Sequence, residues 1–315
     1  MEDQDIEILV GRDRKLKTTT KDLSVFHKVS GVNLIHSPTK IKEARENFIH
    51  TSKQASHAIR AKYKATDILL GEGAFGQVYQ FEDRKDPTKK VAVKIMRKEL
   101  LTETMLEIVR DEISILSLLD HEHIVKHYES FEDPRYMYIV MEVIEDAVQL
   151  SEEISERTCA QERTPKLMNS PCFSESELRK IFSMLISACL HIHTNGVTHR
   201  DLKPENILLC SKTNSLKIID FGLSKKHETN RSDDPQMMVG TPHYMSPEIY
   251  EKEGEADIYN PPCDMWSLGV TFYTMVENTL PFMGAELQDQ IVSEEADFTS
   301  KKWKAISEEG KDFIR

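Results

Sequence analysis

Three glycines in the run Leu70-Gly71-Glu72-Gly73-Ala74-Phe75-Gly76-Gln77-Val78 constrain the fold of this chain more than any other feature. They fit the spacing G-x-G-x-x-G-x-V, with strand-forming residues on both sides, so the pattern is strand, turn, strand. Glycine lets backbone amides reach phosphate oxygens that a Cβ would obstruct. A dinucleotide-binding βαβ unit needs a helix directly after such glycines. Here a strand follows, which disfavours that fold. A glycine-rich hairpin also serves as a plain turn, so its meaning depends on the rest of the chain.

In the next strand, Val91, Val93 and Ile95 alternate with Ala92, Lys94 and Met96. Lys94 shares the Ala92 face, where an amine is costly unless it is paired or snorkels to solvent. Eighteen residues on, Glu112 falls in a helical pattern marked by Met105, Val109, Ile113 and Leu116. A Lys94–Glu112 pair would hold a cation against nucleotide phosphates.

The stretch His199-Arg200-Asp201-Leu202-Lys203-Pro204-Glu205-Asn206 sets Asp201 beside one cation and two places before another. A neutralised surface charge and a proton acceptor are both open readings there. Asp220 directly follows the apolar run Leu216-Lys217-Ile218-Ile219 and precedes Phe221-Gly222. An unpaired carboxylate in that place is expensive, and a divalent cation would make it favourable. Mg²⁺ takes oxygen ligands and few protein contacts, a role that suits the Asn206 carbonyl and the Asp220 carboxylate.

The chain is β-rich from Tyr63 and turns helical in its second half. Ser174 and Glu177 stand at capping-box spacing, ahead of an apolar face of Leu178, Ile181, Phe182, Leu185, Cys189 and Ile192. A second apolar helix follows in CDMWSLGVTFYTMV. Residues 155–171 and 251–262 are polar and turn-rich and read as insertions, and residues 1–62 read as a largely flexible extension.

Composition excludes several classes. A net charge of −12 argues against a nucleic-acid surface, and no apolar run approaches membrane-spanning length. The acidic start lacks a secretory signal, and the five scattered cysteines point to reduced thiols in a cytoplasmic protein.

Taken in order, the glycine run, the Val91-Ala92-Val93-Lys94 strand, the helix glutamate, HRDLKPEN, DFG and GTPHYMSPE resemble the eukaryotic protein kinases, from Tyr63 to Arg315. The resemblance implies an α+β bilobal fold. A small antiparallel β-rich lobe (63–141) with one regulatory helix would lead through a hinge (142–146) to a larger, mainly helical lobe (147–315). It also implies ATP and Mg²⁺ as cofactors. Asp201 would take the proton of a substrate hydroxyl, Lys203 would neutralise the γ-phosphoryl group, and Asn206 and Asp220 would hold Mg²⁺. Lys94, fixed by Glu112, would grip the α- and β-phosphates. The nucleotide site would comprise Leu70, Gly71, Glu72, Gly73, Ala74, Phe75, Gly76, Gln77, Val78, Ala92 and Lys94. Met141, Leu208 and the backbone at Glu142 and Ile144 would complete it. Lys203 and Thr241 match serine/threonine rather than tyrosine kinases, with the Thr241 hydroxyl bonded to Asp201 and Lys203. Arg200 would meet an anion of the activation segment, where Thr229 and Ser232 are candidate phosphosites.

Within the kinases, the lead-in ENFIHTSKQASHAIRAKYKATDILL and the segment WKAISEEGKDFIR are similar to the calcium/calmodulin group, most of all the calcium-dependent kinases of protists and plants. The sequence holds no EF-hand loop, so a calcium-sensing partner segment is expected outside the chain. The resemblance further implies that the large lobe is incomplete at Arg315 and lacks the arginine that pairs with Glu248. Losing such a pair costs roughly 3–5 kcal/mol, so low stability is expected. Gln149 stands near a position where the family usually has glutamate. The alternative from another class is a pseudokinase-like nucleotide-binding module or inactive fragment. Pseudokinases usually lose the lysine, the base or the metal aspartate, and this chain has all three.

Overall fold

The computed structural model describes residues 5–10, 14–19, 57–73, 76–164, 169–210, 213, 215–226, 239–251 and 260–315. Two compact units emerge, the first from residues 1–101 and 131–138, the second from 102–130 and 139–315.

The first unit is built on β-structure. Strands β1 (Asp5–Val10) and β2 (Arg14–Thr19) pair antiparallel. Helix α1 (His57–Lys62) buries Ile59 completely, and Arg84 ties it down by donating Nε to the Arg60 carbonyl at 2.6 Å. Strands β3 (Tyr63–Gly73) and β4 (Gly76–Asp83) form the glycine hairpin, and β5 (Lys90–Arg97) pairs with β4. At Gly76 a Cβ would lie 2.1 Å from the Ile95 carbonyl oxygen, so the third glycine is needed for strand-to-strand approach. Tyr79, Phe81, Val91, Val93 and Ile95 lie on one face by register and are all buried. Ala92, Lys94 and Met96 are buried as well, so β5 is a central strand covered on both faces.

Helix α2 (Glu103–Leu118) is capped by Thr102, whose hydroxyl accepts from the Met105 amide. It buries Leu106, Val109, Glu112, Ile115 and Leu116. Met105 and Ile113, expected on the inner face, are only half-buried. The stripe is turned because Glu112 takes an inward position between apolar neighbours. Strands β6 (His127–Glu132) and β7 (Tyr136–Glu142) complete a sheet of order β3-β4-β5-β7-β6.

In the second unit, β8 (Ala147–Gln149) leads into α3 (Leu150–Glu162). This helix occupies the start of the stretch expected to be turn-rich. Its polarity is deceptive, since Ser155 and Thr158 return their hydroxyls to the Ser151 and Ile154 carbonyls. Arg157 lies 4.0 Å over the Phe173 ring and donates to Glu153 and Glu177. Helix α4 (Glu175–Thr194) carries the predicted capping box and buries Leu178, Phe182, Leu185, Ala188, Cys189 and Ile192. The leucines, Phe182 and Ile192 are each worth about 1.5–3 kcal/mol of transfer free energy. After β9 (Val197–Thr198), strands β10 (Ile207–Cys210) and β11 (Ser215–Ile218) form a hairpin flanked by β8, and β12 (Lys225–Lys226) pairs with β9. Short α5 (Pro247–Glu251) precedes α6 (Pro261–Glu277), which starts on prolines, where a missing N–H costs nothing. Helix α6 is buried along most of its length and meets α4 through Phe182 and Phe272, whose ring centroids are 4.9 Å apart. Helices α7 (Leu287–Ser293) and α8 (Glu308–Asp312) follow.

Candidate active site

One carboxylate organises the segment between α4 and β10. Asp264, in the first turn of α6, has no solvent exposure, and a buried carboxylate needs donors. His193 Nε2 at the end of α4 meets Oδ2 at 2.8 Å. The His199 amide donates to the same oxygen at 2.9 Å, and the Arg200 amide to Oδ1 at 2.9 Å. Arg200 has φ of 69°, a left-handed conformation that costs a residue with a Cβ about 1–2 kcal/mol. The bond to Asp264 offsets that strain. Arg200 Nε donates to the Leu223 carbonyl.

His199 is fully buried, with its ring centroid 4.8 Å from that of Phe221. Its Nδ1 accepts the Asp201 amide at 3.3 Å. Burial pushes its pKa down, against the opposing pull of Asp264, Asp201 and Asp220, so the ring stays neutral near pH 7.

Asp201 then points into a cluster of three donors. Lys203 Nζ lies 2.8 Å from Oδ2, and both side chains are almost wholly buried. The Thr241 hydroxyl donates to Oδ1 at 2.7 Å and itself accepts from Lys203 Nζ at 2.7 Å. Asn206 Nδ2 donates to the Asp201 carbonyl at 2.8 Å and to Oδ2 at 3.1 Å. A carboxylate has about four lone-pair sites, and these bonds use three, so capacity remains to accept a hydroxyl proton.

Asn206 is completely buried, and its Oδ1 has no hydrogen-bond partner. An orphaned carbonyl oxygen in the interior calls for a cation or water. The Ile219 amide donates to the Asn206 main-chain carbonyl at 2.9 Å, which brings the end of β11 and Asp220 beside it. Asp220 is also left-handed, with φ of 62°, and its Oδ1 accepts the Gly222 amide at 3.2 Å. The carbonyl and carboxylate oxygens fit an Mg²⁺ site completed by phosphates and water.

The expected nucleotide residues fall in both units. In the first, the β4–β5 register pairs Val78 with Lys94 and Gln80 with Ala92, so Val78, Ala92 and Lys94 share one face. Ala74 and Phe75 lie outside the described residues. In the second, Glu142 is locked in place: its carboxylate accepts the Lys126 amide at 2.7 Å and Lys217 Nζ at 2.6 Å. The Glu142 amide is committed to the Lys126 carbonyl at 2.9 Å. Its own carbonyl is therefore the atom it could offer to a base. Met141, Ile144 and Leu208 are half-buried, and Lys94 and Glu112 are buried in the first and second units.

Thr229 and Ser232 lie outside the described residues. Glu248 is half-buried in α5 and helps burial raise the Cys263 thiol. Gln149 is buried on β8, opposite Leu208. Sequence reasoning missed Asp264 and His193. The available signal was a carboxylate inside the apolar run CDMWSLGV, where only a buried partner set makes it tolerable.

The protein kinase domain family matches residues 65–315. Calcium/calmodulin-dependent protein kinase type 1 of Macrobrachium nipponense is 35% identical over 265 residues, 82% of this chain and 70% of that protein. Serine/threonine-protein kinase 33 of Mus musculus is 32% identical over 259 residues, 78% of this chain and 49% of that protein. Calcium-dependent protein kinase 4 of Plasmodium falciparum is 32% identical over 288 residues, 87% of this chain and 50% of that protein. The chain thus spans about half the length of the last two relatives.

Proposed function

The chain belongs to the protein kinase family, and from that premise we propose that it transfers the γ-phosphoryl group of ATP to serine or threonine hydroxyls of proteins. The observation that carries this reading is the buried Asp201–Lys203 pair, linked by the Thr241 hydroxyl, beside the orphaned Asn206 carbonyl. Asp201 orients the acceptor hydroxyl and takes its proton as the oxygen–phosphorus bond forms. The bond from the γ-phosphorus to the bridging oxygen breaks, and ADP leaves. In this reading Lys203 neutralises charge on the moving group, and Thr241, bonded to both, holds Asp201 and Lys203 in register. Mg²⁺, held by Asn206 and Asp220, would screen phosphate charge. Lys94 and Glu112 are proposed in the phosphate-gripping role that the sequence suggests. Phosphoryl transfer asks the protein mainly for positioning and charge stabilisation, and these groups supply both.

Calcium/calmodulin-dependent and calcium-dependent protein kinases among the relatives support a place in calcium-linked signalling, with calcium sensing in a segment outside these residues. Among the described residues no helix is long and apolar enough to cross a membrane. A cytoplasmic location is proposed on the free state of all five cysteines.

Transfer of labelled γ-phosphate to a serine peptide tests the proposal. Asp201→Asn should lower the rate about 10²–10⁴-fold, and equal activity in both proteins would remove Asp201 from the role of base.

A further inference from the structure

A chain of three side chains braces the glycine hairpin. Gln77 of β4 stands directly opposite Glu72 of β3. Its amide nitrogen donates to Glu72 Oε1 at 2.9 Å, and its amide oxygen accepts the Tyr79 hydroxyl at 2.7 Å. The polarity is forced, because an ionised carboxylate only accepts and the phenol here donates. The Gln77 amide carries both complementary groups and links the two. Burial, and then the Glu72 charge, push the Tyr79 pKa up against the opposing Arg97, which keeps the phenol a donor.

Gln77 and Tyr79 pair with Ile95 and Val93 of β5, whereas Val78 pairs with Lys94. The three side chains therefore lie on the face opposite Val78, Ala92 and Lys94. They act on a nucleotide only through the β3 and β4 backbone they hold, in a segment whose glycines supply no side chains of their own to fix it. Tyr79, 1% exposed, anchors the far end in the sheet.

We propose that the Glu72–Gln77–Tyr79 chain fixes the glycine hairpin in the shape that receives the phosphates of ATP, with Gln77 as the positioning residue that sets nucleotide affinity. The proposal rests on the kinase reading. It names side chains whose effect is on ATP binding and not on the acceptor peptide.

The test uses the 315-residue chain, titrated with Mg·ATP in a calorimeter, together with KM for ATP and for a serine peptide. Gln77→Leu removes both bonds and should raise the Kd for ATP roughly three- to tenfold, with KM for ATP following and KM for peptide unmoved. Gln77→Glu sets two carboxylates face to face and should weaken binding further. The double variant Glu72→Gln/Gln77→Glu restores an amide facing a carboxylate, and that carboxylate accepts the Tyr79 hydroxyl. Its Kd should return to within about twofold of wild type. Tyr79→Phe, which keeps the buried ring, should weaken binding about two- to fivefold. Wild-type affinity in Gln77→Leu, or a double variant no better than Gln77→Glu, would overturn the brace. A wild-type chain that binds no ATP would overturn the kinase reading and the brace with it.

Discussion

Asp264→Asn is the most informative single substitution, because it keeps size and shape while replacing one acceptor oxygen by an NH₂ donor and removing the charge. Asp264 takes three donors, two on Oδ2 and one on Oδ1. A carboxamide must turn its NH₂ toward at least one of them. The least costly choice places it at Oδ1, opposite the Arg200 amide, so two donors face each other in the interior. A hydrogen bond to a charged acceptor is worth about 1.5–3 kcal/mol, and a buried donor left unmade costs about 1–3 kcal/mol. Because the two costs overlap, the expected destabilisation is about 2–4 kcal/mol, a large part of typical domain stability. The effect should also reach the chemistry. Arg200 holds φ of 69° with that bond in place, and without it the residue can relax toward negative φ and carry Asp201 along. A displacement on the order of 1 Å costs up to about 100-fold in rate. Urea unfolding followed by circular dichroism measures the first effect, and phosphate transfer at saturating ATP the second. A loss below about 0.5 kcal/mol together with unchanged kcat would refute the assignment of Asp264 as the anchor of this segment. His193→Leu, which removes one donor of three, should cost less than Asp264→Asn in the same assays.

Thr241→Ala removes the hydroxyl that links Asp201 to Lys203, and transfer should fall roughly 10- to 100-fold, read as kcat on a serine peptide. Stability should decline on acidification below about pH 6.5, where unfolded histidine takes up a proton. Burial holds the folded pKa values of His199, His121 and His127 below that point, so the unfolded state binds more protons and gains from acid. Urea midpoints at pH 7.5 and 5.5 measure the slope, and His127→Gln should flatten it. Arg157→Lys keeps the charge but gives up the guanidinium placed 4.0 Å over the Phe173 ring and the fork to Glu153 and Glu177. A loss of about 1 kcal/mol is expected in a urea titration, since the group is one-third exposed.

Much of this architecture is legible in the sequence where one local rule has no competitor. The hairpin follows from glycine spacing, and α4 from its capping box and a clean apolar stripe. Other parts escape for physical reasons. The inner face of α2 cannot be read from its apolar residues alone, because Glu112 takes a core position that hydrophobic periodicity assigns to Ile113. Helix α3 has a polar composition and is held by Arg157, whose partners Cys172, Phe173 and Glu177 arrive 15–20 residues later. At the site, Asp201, Lys203 and Asn206 are named by an eight-residue stretch, but Thr241 lies 40 positions from Asp201 and Asp264 lies 64 from Arg200. Those pairings need the fold to exist first. The orphaned oxygen on Asn206 is visible only once the fold shows which buried groups around it are paired.

Helix α1 carries a practical consequence for anyone dividing this chain. Ile59 precedes the first strand of the five-stranded sheet, yet it is as hidden as any residue in the molecule. A fragment cut at Tyr63, where the sheet begins, would uncover the surface that this side chain seals and strand the Arg84 guanidinium without the Arg60 carbonyl. The natural edge of a folding unit is its outermost buried side chain, not its outermost strand. Here that places the seam at His57 or before it, six residues upstream of where the strand pattern would draw it.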